Sequence, residues 1–451
     1  MSQILILVAL VAAIVFVTAR LKISPVLALL GAALVGAFAY RIPVADVIST
    51  ITTAFGGTLG NIGLVILFGT MIGVILERSG AAIAMADWLI KILGTRFPNL
   101  TMTVIGYIVS IPVFCDSGYV ILNSLRKAIT VRTGVSTLAT AIALMTGLYA
   151  THTLVPPTPG PLAAASELGV ENLGLLIALG LPVAALAALA AMLFANRFLH
   201  RPVELVPTAE EDEIDHTYEE LRASYGVLPK AFPAFLPILV PLVLICAASV
   251  ARIPSRPLGQ GVPFDIITFV GTPVIALVIG LIAAAGLLRG NGRLGAFNTQ
   301  IDEAIRVSAP ILLITASGAA FGAVLAASPL MDVLGSSLSG LGIGLAVPFL
   351  VAAALKTAQG SSTVALVTTS ALVAPLLDSL GLGSEMGATL AVLAIGAGAM
   401  VVSHANDSYF WVVSRLSRIP VATAYRTLTV ATGIEGVTAF AAIFGLGLVL
   451  L

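Results

Sequence analysis

Apolar stretches close to the length of a membrane-crossing helix, about 20 residues, recur along nearly the whole chain. They run from Ile4 to Val17 (extended by Ser2 and Thr18), Val26 to Phe38, Ile62 to Leu76, Val135 to Tyr149, Leu173 to Phe194, Phe235 to Val250, Ile266 to Leu288, Ala309 to Ala326, Leu341 to Leu355, Met386 to Val402 and Val430 to Leu451. Shorter apolar pieces lie between them, so the pattern predicts roughly 10 to 14 membrane segments. Only 10% of the residues are charged, 59% are hydrophobic and mean hydropathy is +1.09, whereas a soluble domain averages roughly a quarter charged. The expected fold class is therefore an all-α polytopic membrane protein. The first run is apolar from Gln3 onward, without a basic n-region or a small-residue cleavage site, and reads as a retained helix.

One segment breaks the pattern. From His200 to Lys230 the chain carries clustered acids, prolines and no apolar run, as a solvated connector does. It divides the molecule into a first membrane half (1–199), a hydrophilic acidic connector (200–231) and a second membrane half (232–451). Arg197, Arg201, Arg222 and Lys230 flank it, which under the positive-inside rule points to the cytoplasmic side. A net charge of zero argues against a nucleic-acid partner. Cys115 and Cys246 are too few for a disulfide framework, and no Cys/His spacing resembles a metal site. No cofactor is expected.

The halves on either side of the connector match in order. Gly69 and Gly73 correspond to Gly318 and Gly322, then Asp116-Ser117-Gly118-Tyr119-Val120 to Gly360-Ser361-Ser362-Thr363-Val364, then the Thr151-His152 step to Ser403-His404. Three correspondences in one order point to an internal duplication. Polar, broken helices at corresponding places in two halves are the best sequence pointer to a transport site.

The breaks supply the candidate residues. Pro112 and Gly118 flank Asp116 between two short apolar arms, as expected for a re-entrant tip. Ala358 to Thr363 looks like its partner, with Gly360 permitting a tight turn and Ser361 or Ser362 capping the next helix. Free N–H groups at such a helix start suit a carboxylate, and nearby hydroxyls of Ser117, Ser361, Ser362 and Thr363 suit substrate hydroxyls. The Pro156 to Pro161 run is expected to leave regular helix, its carbonyls and Thr158 lining the site. Irregular backbone at membrane depth is tolerated only against protein or a water-filled cavity. Asp116 and Asp407, one per half, are candidates for proton coupling with His152, which titrates near neutrality. His404 and Asn406 offer hydrogen bonds to a polyhydroxylated anion. Lys356 either supplies a counter-charge or snorkels from a helix end. Glu77, Asp87 and Glu435 read as structural pairs or interface residues.

VFCDSGYVIL, THTLVPPTPGP, AQGSSTVAL and SHANDSYFW, in this order with an acidic loop between the pairs, resemble the gluconate permease (GntP) family of the ion transporter superfamily. Cys115 and Ser117 stand where that family more often has bulkier residues, and Lys356 where Arg is more usual. The resemblance implies two inverted repeats with re-entrant hairpins and broken helices, in a homodimeric secondary transporter of the bacterial inner membrane. It also implies symport of gluconate or a related small hydroxy-carboxylate with protons. Coupling to sodium, or a D-serine-type substrate, is the alternative. An intramembrane hydrolase would need a Gly-x-Ser-x-Gly elbow or a His-Glu-x-x-His site, and neither occurs. Two non-identical polar breaks per half also fit a closed binding site better than a channel filter.

Overall fold

A computed structural model describes residues 2–201, 203, 205–206, 218–252, 261–288, 292–329, 344–405 and 407–451. Among these are nineteen α-helices and no strand. The first half contains α1 (Ser2–Val15), α2 (Pro25–Ala39), α3 (Val44–Arg78), α4 (Ala81–Leu93), α5 (Pro98–Val109), α6 (Cys115–Thr133), α7 (Thr137–Leu154), α8 (Pro159–Glu167) and α9 (Leu173–Asn196). After α10 (Tyr218–Ser224) come α11 (Ala231–Ala251), α12 (Val262–Val270), α13 (Pro273–Ala285), α14 (Arg293–Ala326), α15 (Ala346–Gln359), α16 (Ser362–Val373), α17 (Glu385–Gly398), α18 (Ser408–Leu416) and α19 (Val421–Leu450). The start of the Leu341 to Leu355 run, most of the connector and Asn406 lie outside the described residues.

Among the described residues five helical runs, one of them α7 and α8 taken together, are long and apolar enough to cross a bilayer, or seven if the bent α3 and the bent pair α12–α13 count as spans; other apolar runs form helices of 10–17 residues. Those shorter helices matter most for the site. α5 and α16 have 12 residues each and reach only about 18 Å, well short of the hydrocarbon layer. Both adjoin a turn, at 110–114 and at 360–361. Gly360 makes the second turn possible with φ +93, a conformation open to glycine and strained for other residues.

Among the described residues, and setting α4 aside, the chain on either side of the connector follows one order of elements: a long helix (α3, α14), a short pair (α5–α6, α15–α16), a broken pair (α7–α8, α17–α18) and a closing helix (α9, α19). Packing recurs too, with α5 on α7 and α15 on α17, α7 on α9 and α17 on α19, α13 on α3 and α2 on α14. The innermost elements are α7, buried throughout from Leu138 to Leu154, and α17, buried from Gly387 to Gly398. Small residues bring these helices close: a Cβ on Gly147 would lie 2.2 Å from the Thr103 carbonyl of α5, and one on Gly398 2.3 Å from the Phe349 carbonyl of α15. At the periphery the pattern inverts. Phe232, Phe269, Ile282 and Leu448 point outward, more than half exposed, as a face turned to lipid hydrocarbon requires and water would penalise.

α3 and α14 lie against each other, and Arg78 at the end of α3 forms a bidentate pair with Glu303 of α14 at 3.0 and 2.5 Å. Both side chains are partly exposed, so this clip adds little, about 1 kcal/mol at most. Past the connector's acidic cluster, α10 returns to the bundle: the Tyr218 hydroxyl donates to Asp87 of α4, and Arg222 lies 3.9 Å from the same carboxylate. Burial first, then the Asp87 carboxylate, push the Tyr218 hydroxyl well above the usual phenol range, so it remains a donor.

Candidate functional site

The turn at 360–361 and the break at 399–407 are joined by a fully buried ion pair. Lys356, in the last turn of α15, donates from Nζ to Asp407 Oδ2 at 2.6 Å and also to the Gly360 carbonyl. Asp407 caps α18, its Oδ1 accepting from the Tyr409 N–H at 3.0 Å, while Ser403 Oγ donates to Oδ2 at 2.5 Å. An ammonium and a carboxylate taken from water lose several kcal/mol each, and close contact with further hydrogen bonds offsets that loss. Lys356 therefore does not snorkel; it is the counter-charge of Asp407.

Asp116, in the first turn of α6, joins the same place from the first half. Its Oδ1 accepts from Ser408 Oγ at 3.3 Å, Cys115 Sγ lies 3.7 Å from Oδ2, and Asp407 and Lys356 are within electrostatic reach. His152, in the last turn of α7, packs against the Phe114 ring at 5.7 Å between centroids, with Nδ1 buried and unpartnered and with Lys356 and Asp407 within reach. Ser362 opens α16 beside the Tyr149 hydroxyl. The structure thus brings together Asp116, His152, Lys356, Ser362 and Asp407, drawn from both halves. α6, α16 and α18 all begin at this cluster, so their positive dipole ends and first-turn N–H groups converge on it.

Other expected residues are engaged elsewhere. Ser361 is exposed and caps α16, accepting from the Val364 N–H at 3.3 Å. The Thr158 hydroxyl donates to the Val155 carbonyl at 2.6 Å and closes its own turn. Ser117 reaches Glu77 of α3. His404 donates from Nε2 to the Thr357 carbonyl at 2.9 Å and stacks on Tyr425, which ties the break to α15 and α19. Thr363 is half-buried in the first turn of α16. The proline run also differs from expectation: α8 starts at Pro159 and contains Gly160 and Pro161, leaving only 155–158 irregular. A proline in the first helical turn forfeits no bond, because those N–H groups have no intrahelical acceptor.

Three further residues contribute to the cluster without having been singled out as site residues in the sequence. Tyr149, one turn before His152 on the same face of α7, holds its ring 5.7 Å from Lys356 Nζ and donates to the Ala399 carbonyl at 3.2 Å. Tyr409 packs its ring 5.3 Å from that of Tyr149 and donates to the Met145 carbonyl at 3.0 Å. Ser403, already conspicuous as the hydroxyl before a histidine, binds Asp407. Beside it Val402, a β-branched residue, sits at φ +57, a conformation that costs about 1–3 kcal/mol and tends to mark functional turns. Among the described residues, no group of three His, Cys, Asp or Glu side chains is placed to hold a metal.

A lipid-facing helical bundle whose broken elements close around a buried, charged cluster is a multi-pass membrane transporter. Specifically, the chain belongs to the GntP permease family, whose model (GntP family permease) matches residues 1–449. It is 33% identical over 457 residues to the gluconate permease of Pseudomonas aeruginosa, covering 98% of this chain and 97% of that one. It is 33% identical over 447 residues to an uncharacterized permease of Haemophilus influenzae (96% and 91% covered) and 31% identical over 449 residues to the D-serine transporter DsdX of Escherichia coli K12 (97% and 96%). Among solved structures it resembles the YdaH transporter of Alcanivorax borkumensis, with a TM-score of 0.60 over 89% of this chain and 87% of that one; at 18% identity this speaks for the fold alone. The chain is a permease, not an enzyme.

Proposed function

We propose that the protein imports a small hydroxylated carboxylate, gluconate or a related sugar acid, across the bacterial inner membrane together with protons. The observation that carries this reading is the charge pattern of the cluster: one ammonium, Lys356, already matched by Asp407, with a second carboxylate, Asp116, beside them. A carboxylate substrate can use the helix N-termini and Lys356 only if a negative charge leaves the cluster, and a proton arriving with the substrate does that. Asp116, which accepts from the Ser408 hydroxyl and the Cys115 thiol and among the described residues forms no ion pair, is the acceptor that best fits, with His152, within reach of Lys356 and Asp407, to relay and Asp407 held to Lys356 between turnovers. Ser362, with Asn406 and Thr363, would read hydroxyls, and Ser117, Thr158, Ser361 and His404 would shape the turns around them. Relatives named for gluconate and for D-serine support this chemistry, because both molecules pair a carboxylate with a hydroxyl.

The recurring element order supports two inverted repeats, with 110–114 and 360–361 as tips of re-entrant hairpins and the 200–231 connector between the halves. The family resemblance supports a homodimer. The test is uptake into proteoliposomes from a panel of gluconate, glycerate, D-serine and dicarboxylates. Accumulation of a hydroxy-carboxylate when the interior is alkaline is expected. Uptake indifferent to the proton gradient and dependent on sodium would replace the proton with sodium in this scheme.

A further inference from the structure

α19 carries an acid at mid-length, Glu435, which is fully buried and has no hydrogen-bond partner for either Oε1 or Oε2. The sequence reads it as a structural pair or an interface residue; unlike Asp87, which meets Tyr218 and Arg222, it has no hydrogen-bonded partner among the described residues. The surroundings also oppose a negative charge there. The adjacent Gly436 packs on the Ala397 carbonyl, where an added Cβ would sit at 2.6 Å, so this stretch of α19 abuts the C-terminal, negative end of α17. A buried carboxylate with no donor carries a large desolvation penalty, and binding a proton removes it.

The position is connected to the cluster. One turn before Glu435, Thr432 Oγ1 accepts from the Ser403 N–H at 3.2 Å; a further turn back, Thr429 donates to the Ser403 carbonyl at 2.7 Å. Ser403 in turn donates to Asp407, the partner of Lys356. Movement of the break when substrate engages Lys356 would therefore shift α19 or the water access around Glu435. The ionisable groups of the elements packed on α19 are few. α9 has none and α17 only Glu385 at its far end; α7 brings Tyr149 and His152, α18 brings Tyr409 and Arg415, the break brings His404 and Asp407, and α15, whose Phe349 ring stacks on Phe440 of α19, brings Lys356, which is held by Asp407. α19 itself adds Tyr425 and Arg426, and Tyr149 and Tyr409 lie within electrostatic reach of Glu435.

We propose that Glu435 is a proton-binding residue of the transport cycle, separate from the Asp116 and Asp407 cluster, that takes a proton on one side of the membrane and releases it on the other. Its carboxylate plus one proton gives the neutral acid, and the reverse step returns the proton to water, so no other reactant is involved. This rests on the proton-coupled reading above.

Three proteins are compared in proteoliposomes with radiolabelled gluconate: the parent, Glu435→Gln and Glu435→Asp. The Gln variant keeps the size of the side chain and should retain counterflow at equal pH within about threefold, yet lose about tenfold or more of the accumulation driven by an alkaline interior. The Asp variant should recover part of it. In the parent, dicyclohexylcarbodiimide, which attacks protonated carboxyls in apolar surroundings, should modify Glu435, less so as pH rises; this needs no substrate and no variant. A Glu435 unmodified at every pH overturns the proposal, and so does a Gln variant that accumulates gluconate with the parental gradient dependence. A parent whose own accumulation ignores the proton gradient sinks the proton-coupled reading and this role with it, whereas a proton-driven parent matched by its Gln variant sinks the Glu435 assignment alone.

Discussion

Removing the ammonium of Lys356 would leave the Asp407 carboxylate buried against Ser403 and the Tyr409 N–H. Breaking one side of a buried pair costs about 3–5 kcal/mol, while replacing both partners with neutral groups is often far milder. Lys356→Met should therefore destabilise the protein by about that amount, and Lys356→Met combined with Asp407→Asn should recover much of it. Thermal unfolding of the purified variants measures both, and additive losses would mean that the pair is not coupled. At the cluster the two kinds of polar group should separate. Ser362→Ala should weaken substrate binding by about 1–3 kcal/mol for a bond left unmade, at an unchanged pH optimum. Asp116→Asn should flatten the pH dependence of uptake, measured from pH about 5 to 9, and spare exchange at equal pH. An Asp116→Asn variant with the parental pH profile would assign that carboxylate to structure or to substrate.

Elements are positioned here by close backbone approach. On α3, a Cβ at Gly73 would meet the Pro112 carbonyl at 2.4 Å and one at Gly69 the Pro157 carbonyl at 3.0 Å, so this face of α3 rests on the turn before α6 and on the break after α7. Gly73→Ala should push the 110–114 turn and lower stability by about 1–3 kcal/mol, with uptake falling more than for Gly60→Ala, where an added Cβ meets nothing within 4 Å. Equal effects of the two substitutions would show that α3 does not hold the turn. The glycine spacing along α3 is visible in the sequence, but its role is not, since the same spacing serves many helix contacts. The breaks are legible for a local reason: proline, glycine and polar residues interrupt an apolar run within a few positions. Tyr149 and Glu435 were hidden for the opposite reason, one lying inside an unbroken apolar helix and the other lacking any local sign that its expected partner is absent. That Lys356 lies 2.6 Å from Asp407 could not be read from either string, because the fold alone brings the two together.

For the whole molecule, α10 docks on the bundle through Tyr218 and Arg222, whereas the acidic stretch before it is proposed to carry no part of the site. Residues 208–216 are expected to act as a tether, so a flexible Gly/Ser replacement of equal length should leave transport within about twofold, as loops without a site tolerate change. Tyr218→Phe removes the bond to Asp87 and should expose α10 to faster proteolysis without changing substrate affinity. Loss of binding in either variant, in normally inserted protein, would give the connector a share in the site.

The enclosure of α7 on every side has a consequence for mutational tolerance. A helix with one free face accepts enlargement at every third or fourth position, as α11 should, since its buried residues Ala234, Ile238, Pro241, Ile245 and Ala248 alternate with outward Phe232, Leu239 and Val243. Along α7 no such rhythm is available, because each position from Leu138 to Leu154 is already in contact. A scan of all substitutions, read by growth on the transported acid, should show periodic permissiveness through α11 and a flat, unbroken band of intolerance through α7. The segment that hydropathy alone would describe as one more membrane span would then have the sensitivity profile of a protein core.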